Sequence, residues 1–270
     1  MLAEVPFFAQ EDYECGPASL AMLLQAAGLH TTPEQLVAQV YLPGRKGSLQ
    51  IEMMVAARRQ GLPAYRLEPT LEAVLQEVAA GHPVLVFQNL SLPIYPIWHY
   101  AVVIGFDRSR GMLTLHSGRT ERLEMTFSVF ERTWARGEHW AMVALPVDKV
   151  PATAQAASFA GAIAALERSA PQAARSAYST ALQRWPSDLV LLFGAGNTAY
   201  ALGDLSAAAA AYAATAKAHP GAADAWNNLA QVLMEQGRKV EALKAINEAL
   251  AIGGPRRATY QTLADKLRAP

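Results

Sequence analysis

A 34-residue period in the second half of the chain constrains its fold more than any other feature. Ala174, Ala208 and Ala242 fall on it, as do Tyr178, Tyr212 and Ile246, and Ala181, Thr215 and Ala249. Pro186 and Pro220 follow at the same period, and Gly254 takes the third slot. Gly203 and Gly237 mark turns inside the repeats. A small residue at one slot lets two helices approach, and a large residue one turn later fills the space between them. The proline stops the second helix. A unit of this length cannot bury its apolar face alone and does so by stacking on copies of itself.

These residues resemble the tetratricopeptide repeat, over about residues 155–256. In the third repeat Trp226, Leu229, Gly237 and Ala242 match the family pattern, while in the first Ser158 and Ser169 stand in the Trp and turn-Gly slots. The resemblance implies an all-α solenoid over 155–270: three repeats and a capping helix at about 257–268. It also implies a concave groove facing a protein partner. Asn197, Tyr200, Asn227, Gln231 and Met234 would point inward, and the amides suit a peptide backbone. The other reading of those amides is a solvated helix face. The matching positions of the first repeat, Phe159, Ile163 and Leu166, read as packing.

Composition shifts near residue 150, where strand signals vanish and alanine takes over. The stretch 149–154, interrupted by Pro151, reads as a linker, so the expected domains are 1–148 and 155–270. The first of these holds the lone cysteine, Cys15, which excludes an intramolecular disulfide and a cysteine zinc cage. A lone cysteine by itself reads as a small buried hydrophobe. This one precedes Gly16-Pro17-Ala18, and 16–28 reads as a helix opened by proline and closed by Gly28, with Leu20, Leu23, Leu24 and Ala27 as its buried stripe. A thiol at a helix N-terminus is expected to have a lowered pKa. Downstream, 70–80 reads as a helix and 83–87 as a buried strand. A strand over 99–106 has His99 at its mouth. It turns at 107–111 into a hairpin with 112–116, and 140–145 reads as a further strand.

Gln10, Cys15-Gly16-Pro17-Ala18 and His99-Tyr100-Ala101-Val102-Val103-Ile104-Gly105 together resemble the papain-like cysteine peptidases. The likeness is closer to the branch that trims double-glycine leaders from exported bacteriocins, and it covers about residues 4–146. It implies an α+β domain, with the cysteine on an N-terminal helix and the histidine on an antiparallel sheet. It further implies a cofactor-free thiol protease acting on a peptide or protein substrate. On that resemblance Cys15 attacks a carbonyl carbon, and His99 takes the thiol proton and returns it to the leaving amine. Gln10 and the Cys15 N–H would stabilise the oxyanion. The family places Asp or Asn on the next strand to orient the histidine. Here that slot falls on His116, with Ser117 beside it. A neutral imidazole can accept from His99, and the alternative is a plain strand-end histidine.

Lys plus Arg and Asp plus Glu are both 23, which argues against nucleic acid and against a polybasic membrane anchor. No apolar run reaches the ~20 residues of a membrane span. Neither a His-Glu-x-x-His motif nor a phosphate-binding glycine loop is present, so neither metal nor nucleotide chemistry is expected. His30, His82, His139 and His219 read as surface or half-buried polar side chains. Residues 1–6 do not read as a signal peptide, and the compartment stays open between cytoplasm and cell envelope. The apolar loop 90–98 precedes His99, and its Tyr95 and Trp98 are candidate walls of a substrate cleft. Three functional readings remain: a cysteine peptidase with a docking module, an inactive peptidase-like adaptor that binds a tail, and an acyl transferase using the same thioester chemistry.

Overall fold

The computed structural model describes residues 1–9, 15–45 and 47–269. They form two compact units, Met1–Gln155 and Ala156–Pro270.

The first unit opens with α1 (Cys15–Ala26) and α2 (Pro33–Val40). Then come a two-residue hairpin, β1 (Tyr41–Leu42) and β2 (Gly47–Ser48), and α3 (Gln50–Arg59). The remaining elements are β3 (Ala64–Arg66), α4 (Leu71–Ala79), β4 (Val84–Asn89), β5 (Trp98–Asp107), β6 (Met112–Ser117), β7 (Thr120–Thr126), α5 (Phe127–Ala135) and β8 (Ala141–Ala144). The six-stranded sheet runs β3-β8-β4-β5-β6-β7, antiparallel throughout. Side chains alternate between its faces. Leu85, Tyr100, Val102, Ile104 and Met142 bury one face under α1, α2 and α3. The other face meets α5, where Gln88 of β4 bonds Thr133.

α1 is buried on all sides from Gly16 to Leu24, not along a single stripe. It is the central helix, and Gly28 follows its end with φ 88°. β7, which carries Glu121, Arg122 and Glu124, is a strand with an exposed outer edge and an Arg110–Glu124 ion pair at 2.9 Å reaching across to it. Charges on an edge strand discourage pairing with another chain.

The stretch read as a linker is fastened to the first unit by a buried carboxylate. Glu77 of α4 has no solvent exposure and accepts from the Thr153 N–H (2.7 Å), the Thr153 hydroxyl (2.6 Å) and the Ala152 N–H (3.2 Å). His82 pairs with its other side at 2.6 Å.

Among the described residues the second unit holds seven helices: α6 (Ala156–Ala164), α7 (Pro171–Arg184), α8 (Leu189–Ala201), α9 (Leu205–Ala218), α10 (Ala223–Glu235), α11 (Lys239–Ile252) and α12 (Arg257–Arg268). The in-phase residues Ala174, Ala208, Ala242, Tyr178, Tyr212 and Ile246 are all buried. So are Phe159, Ile163 and Leu166. Gly203 and Gly237 adopt φ 77° and 75° just past α8 and α10, a left-handed conformation that glycine takes without a steric cost. Tyr178 and Tyr212 lie against Gly194 and Gly196 of α8, where a β-carbon would overlap their rings.

Candidate active site

β5, which carries His99, meets the N-terminus of α1, which carries Cys15, at Tyr100. β6 ends at Ser117, opposite Ala101, so the ladder stops one residue short of Tyr100. Phe87, opposite Tyr100, gives its N–H to Trp140 on the β8 side. The Tyr100 backbone groups therefore face the vacated edge, and α1 takes them. The Ser19 hydroxyl donates to the Tyr100 carbonyl (3.1 Å), and the Tyr100 N–H acts on the Cys15 thiol to lower its pKa. Cys15 and Ser19 are four apart, on one face of the helix. Gly16 fits because a side chain there would overlap the Ser48 hydroxyl, while the Ser48 carbonyl accepts from the Tyr100 phenol at 3.1 Å.

His99 precedes Tyr100 and projects to the α5 face. Its Nε2 is 2.8 Å from the Ser117 hydroxyl. That leaves Nδ1 as the ring nitrogen free to exchange a proton.

His116 is not the group that orients His99. The register pairs His116 with Val102 and Ser117 with Ala101, so only Ser117 shares the His99 face. The His116 ring is 3.2 Å from the Val5 carbonyl through Nε2, receives the Arg122 N–H at 3.4 Å, and packs against Phe7. It fixes the N-terminal run to β6. Period-two alternation along 112–117 carries the signal that separates the two residues.

Electrostatics also depart from expectation. Burial pushes the Cys15 thiol up, against the lowering effect of the N–H groups of Tyr100, Gly16 and Cys15 itself. Burial also holds the His99 imidazole down at about 4. The helix N-terminus does not outweigh desolvation: burial favours the neutral form of the thiol and, separately, of the imidazole. Gln10 lies outside the described residues.

The loop after β4 is held at its base. Asn89 accepts from the N–H groups of Ser91 and Ile97 (3.0 and 2.9 Å), and Arg136 donates to the Ser91 carbonyl at 2.9 Å. Its tip presents Ile94 and Tyr95, 75% and 76% exposed. Trp98 stacks on Phe87 and remains 50% exposed beside His99.

In the second unit Asn197 and Tyr200 (α8), Asn227 and Gln231 (α10) and Lys266 (α12) line one cavity of about 660 Å³. Tyr212 donates to Asn197 at 2.7 Å, and Asn227 to Asn228 at 3.2 Å. Met234 does not join them; it packs against the unit's hydrophobic core. Among the described residues, no cluster of three or more His, Cys, Asp or Glu could hold a metal, and no helix is long and apolar enough to cross a membrane.

A helix-borne cysteine set against an antiparallel sheet that carries the histidine defines a cysteine-peptidase-like domain, here followed by a helical repeat module. Residues 2–142, more than half of the chain, match the model of the C39-like peptidase family, and the chain belongs to that family. Residues 193–257 match a tetratricopeptide-repeat model. The chain is similar to the crystal structure of a C39-like peptidase from Bacillus anthracis, with 19% identity and a TM-score of 0.45. That alignment covers 54% of this chain and 96% of the other. None of the curated proteins matches.

Proposed function

We propose that the chain is a cysteine peptidase, or a closely related amide hydrolase, with a repeat module that docks its substrate or a partner. The observation that supports this most is the junction at β5. The N–H of the residue that follows His99 acts to lower the Cys15 thiol pKa, while Ser117 occupies Nε2 of His99 and leaves Nδ1 for the thiol proton. In the reaction the Cys15 sulfur bonds to the substrate carbonyl carbon as its proton passes to His99. The C–N bond then breaks, the amine leaves with that proton, and a thioester remains. Water, deprotonated by His99, cleaves the thioester and frees the thiol. Gln10 and the Cys15 N–H stabilise the oxyanion. Tyr95 and Trp98 offer an apolar wall beside the reacting carbonyl. Asn197, Tyr200, Asn227 and Gln231 take an extended peptide of the substrate or a partner.

A second reading is a peptidase-like adaptor that holds a peptide without cutting it. Burial favours the neutral forms of both Cys15 and His99, and this is what supports it. The two readings part in the pH profile of Cys15 alkylation by iodoacetamide, followed by intact mass. A working pair gives the wild type a plateau between about pH 5 and 8, fed by proton transfer from Cys15 to His99. His99→Ala loses the plateau, and its rate falls about tenfold per pH unit below the thiol pKa. Coincident profiles would reject the peptidase reading and leave the adaptor.

A further inference from the structure

We propose that Gln88 is a positioning residue for His99, its buried amide oxygen serving as the negative dipole end that steadies the imidazole when it carries both protons. The proposal rests on Cys15 and His99 being the reacting pair.

Gln88 lies directly opposite His99 in the β4–β5 register. Opposed residues of an antiparallel pair project from the same face, with β-carbons about 4.5–5.5 Å apart. The Gln88 side chain is wholly buried. Its Nε2 reaches to within 4.0 Å of the Met125 sulfur on β7, so the side chain runs across the strand that carries His99. The orientation of the amide is determined by Thr133. That hydroxyl has one proton, directed at the carbonyls of Phe130 (2.9 Å) and Val129 (3.2 Å). Toward Gln88 it can only accept, and it does so from Nε2 at 2.7 Å. The NH2 end is thereby committed to α5, and the oxygen is the free end. Among the described residues nothing donates to that oxygen, although solvent does not reach it.

A buried acceptor without a donor calls for an explanation. The chemistry of the neighbouring strand supplies one. At rest His99 is neutral and Ser117 satisfies its Nε2. Once it takes the thiol proton it is a cation with two N–H donors. Among the described residues no carboxylate is bonded to it, and burial alone holds its pKa down, with no charged side chain contributing. The negative end of the Gln88 amide dipole lies on the same face. It provides there, without a net charge, what a carboxylate provides in charged triads. A neutral amide does not draw the proton to His99 prematurely.

The test is the His99 titration in the full chain, followed by NMR of 13C-labelled histidine and assigned with His99→Gln. Cys15 alkylation profiles are recorded on the same samples. Gln88→Leu should lower the His99 midpoint by about one pH unit and reduce the His99-dependent alkylation plateau about tenfold. Gln88→Glu should raise the midpoint. Thr133→Val, which frees the amide to rotate, should shift it in the same direction as Gln88→Leu. A purely packing role would leave the midpoint where it is in all three variants, and that result overturns the proposal. If Gln88→Leu does not fold, the direction of the Gln88→Glu shift decides. Failure of the underlying pair is distinguishable: it shows as identical alkylation profiles for wild type and His99→Ala with Gln88 intact.

Discussion

The Ser19 hydroxyl donates to the Tyr100 carbonyl one helical turn from Cys15, whose thiol pKa the N–H of the same Tyr100 acts to lower. A helix thus completes the hydrogen bonding of a strand where the neighbouring strand has ended. Ser19→Ala removes one of the two clamps in a fully buried setting. It should lower stability by about 1–3 kcal/mol in urea unfolding. Because the clamp also sets the height of the sulfur, the His99-dependent part of Cys15 alkylation should fall with it.

Ser117 and His116 are adjacent in sequence and should separate in their effects. Ser117→Ala takes away the bond at His99 Nε2, a hydrogen bond to a group that becomes charged, worth about 1.5–3 kcal/mol. The alkylation plateau should drop about tenfold to a hundredfold, with little change in the denaturation midpoint. His116→Ala removes the contacts to Val5 and Phe7. It should lower stability while the shape of the alkylation profile is kept. Equal effects of the two substitutions on the plateau would return the orienting role to His116.

Glu77 makes stability depend on acid. Burial pushes its carboxyl up, but the bonds from His82, from the Thr153 hydroxyl and N–H and from the Ala152 N–H together hold it below the usual carboxylate range. A depressed folded pKa means that the unfolded chain binds the proton more readily. The stabilisation is therefore complete above the unfolded carboxylate value of about 4.3 and is lost as pH falls through the lower folded value. Glu77→Gln should cost about 1.5–3 kcal/mol at pH 7. The gap between the two proteins in urea midpoints should narrow below about pH 4.

A glycine inside a helix usually yields stability on replacement by alanine, about 0.5–1 kcal/mol. Gly196 should do the reverse. A β-carbon there would sit 2.6 Å from the Tyr212 ring, and one at Gly194 would overlap Tyr178. Both tyrosines are buried. Gly196→Ala is expected to lower the thermal midpoint by an overpacking cost of about 1–3 kcal/mol. An unchanged or raised midpoint would show that α9 can shift.

The repeat half was legible because its period is long and its small residues are buried at every recurrence. The cysteine helix and the strands 99–106 and 112–116 were legible from their flanking Gly and Pro and from their apolar runs. β7 was not, because an edge strand with an exposed face carries the charges of a loop. The role of Ser117 was open to period-two counting, but a hydroxyl beside a histidine carries less chemical signal than the histidine does. The thiol's raised pKa lay beyond the sequence. A helix N-terminus argues one way and burial the other, and only packing decides which prevails. His82 reads as an ordinary polar residue and Glu77 carries no motif, since nothing local announces that residues 152–153 return to the Glu77 carboxylate.

The hairpin between β6 and β7 turns at Gly118, φ 60°, immediately after Ser117. If β6 were longer by one paired residue, a peptide carbonyl would claim the Tyr100 N–H and displace the sulfur from it. The length of this turn thus acts as a ruler for the nucleophile. An insertion or deletion there could silence the thiol while every reacting side chain kept its identity, so a relative's competence is to be judged by its gaps as much as by its residues.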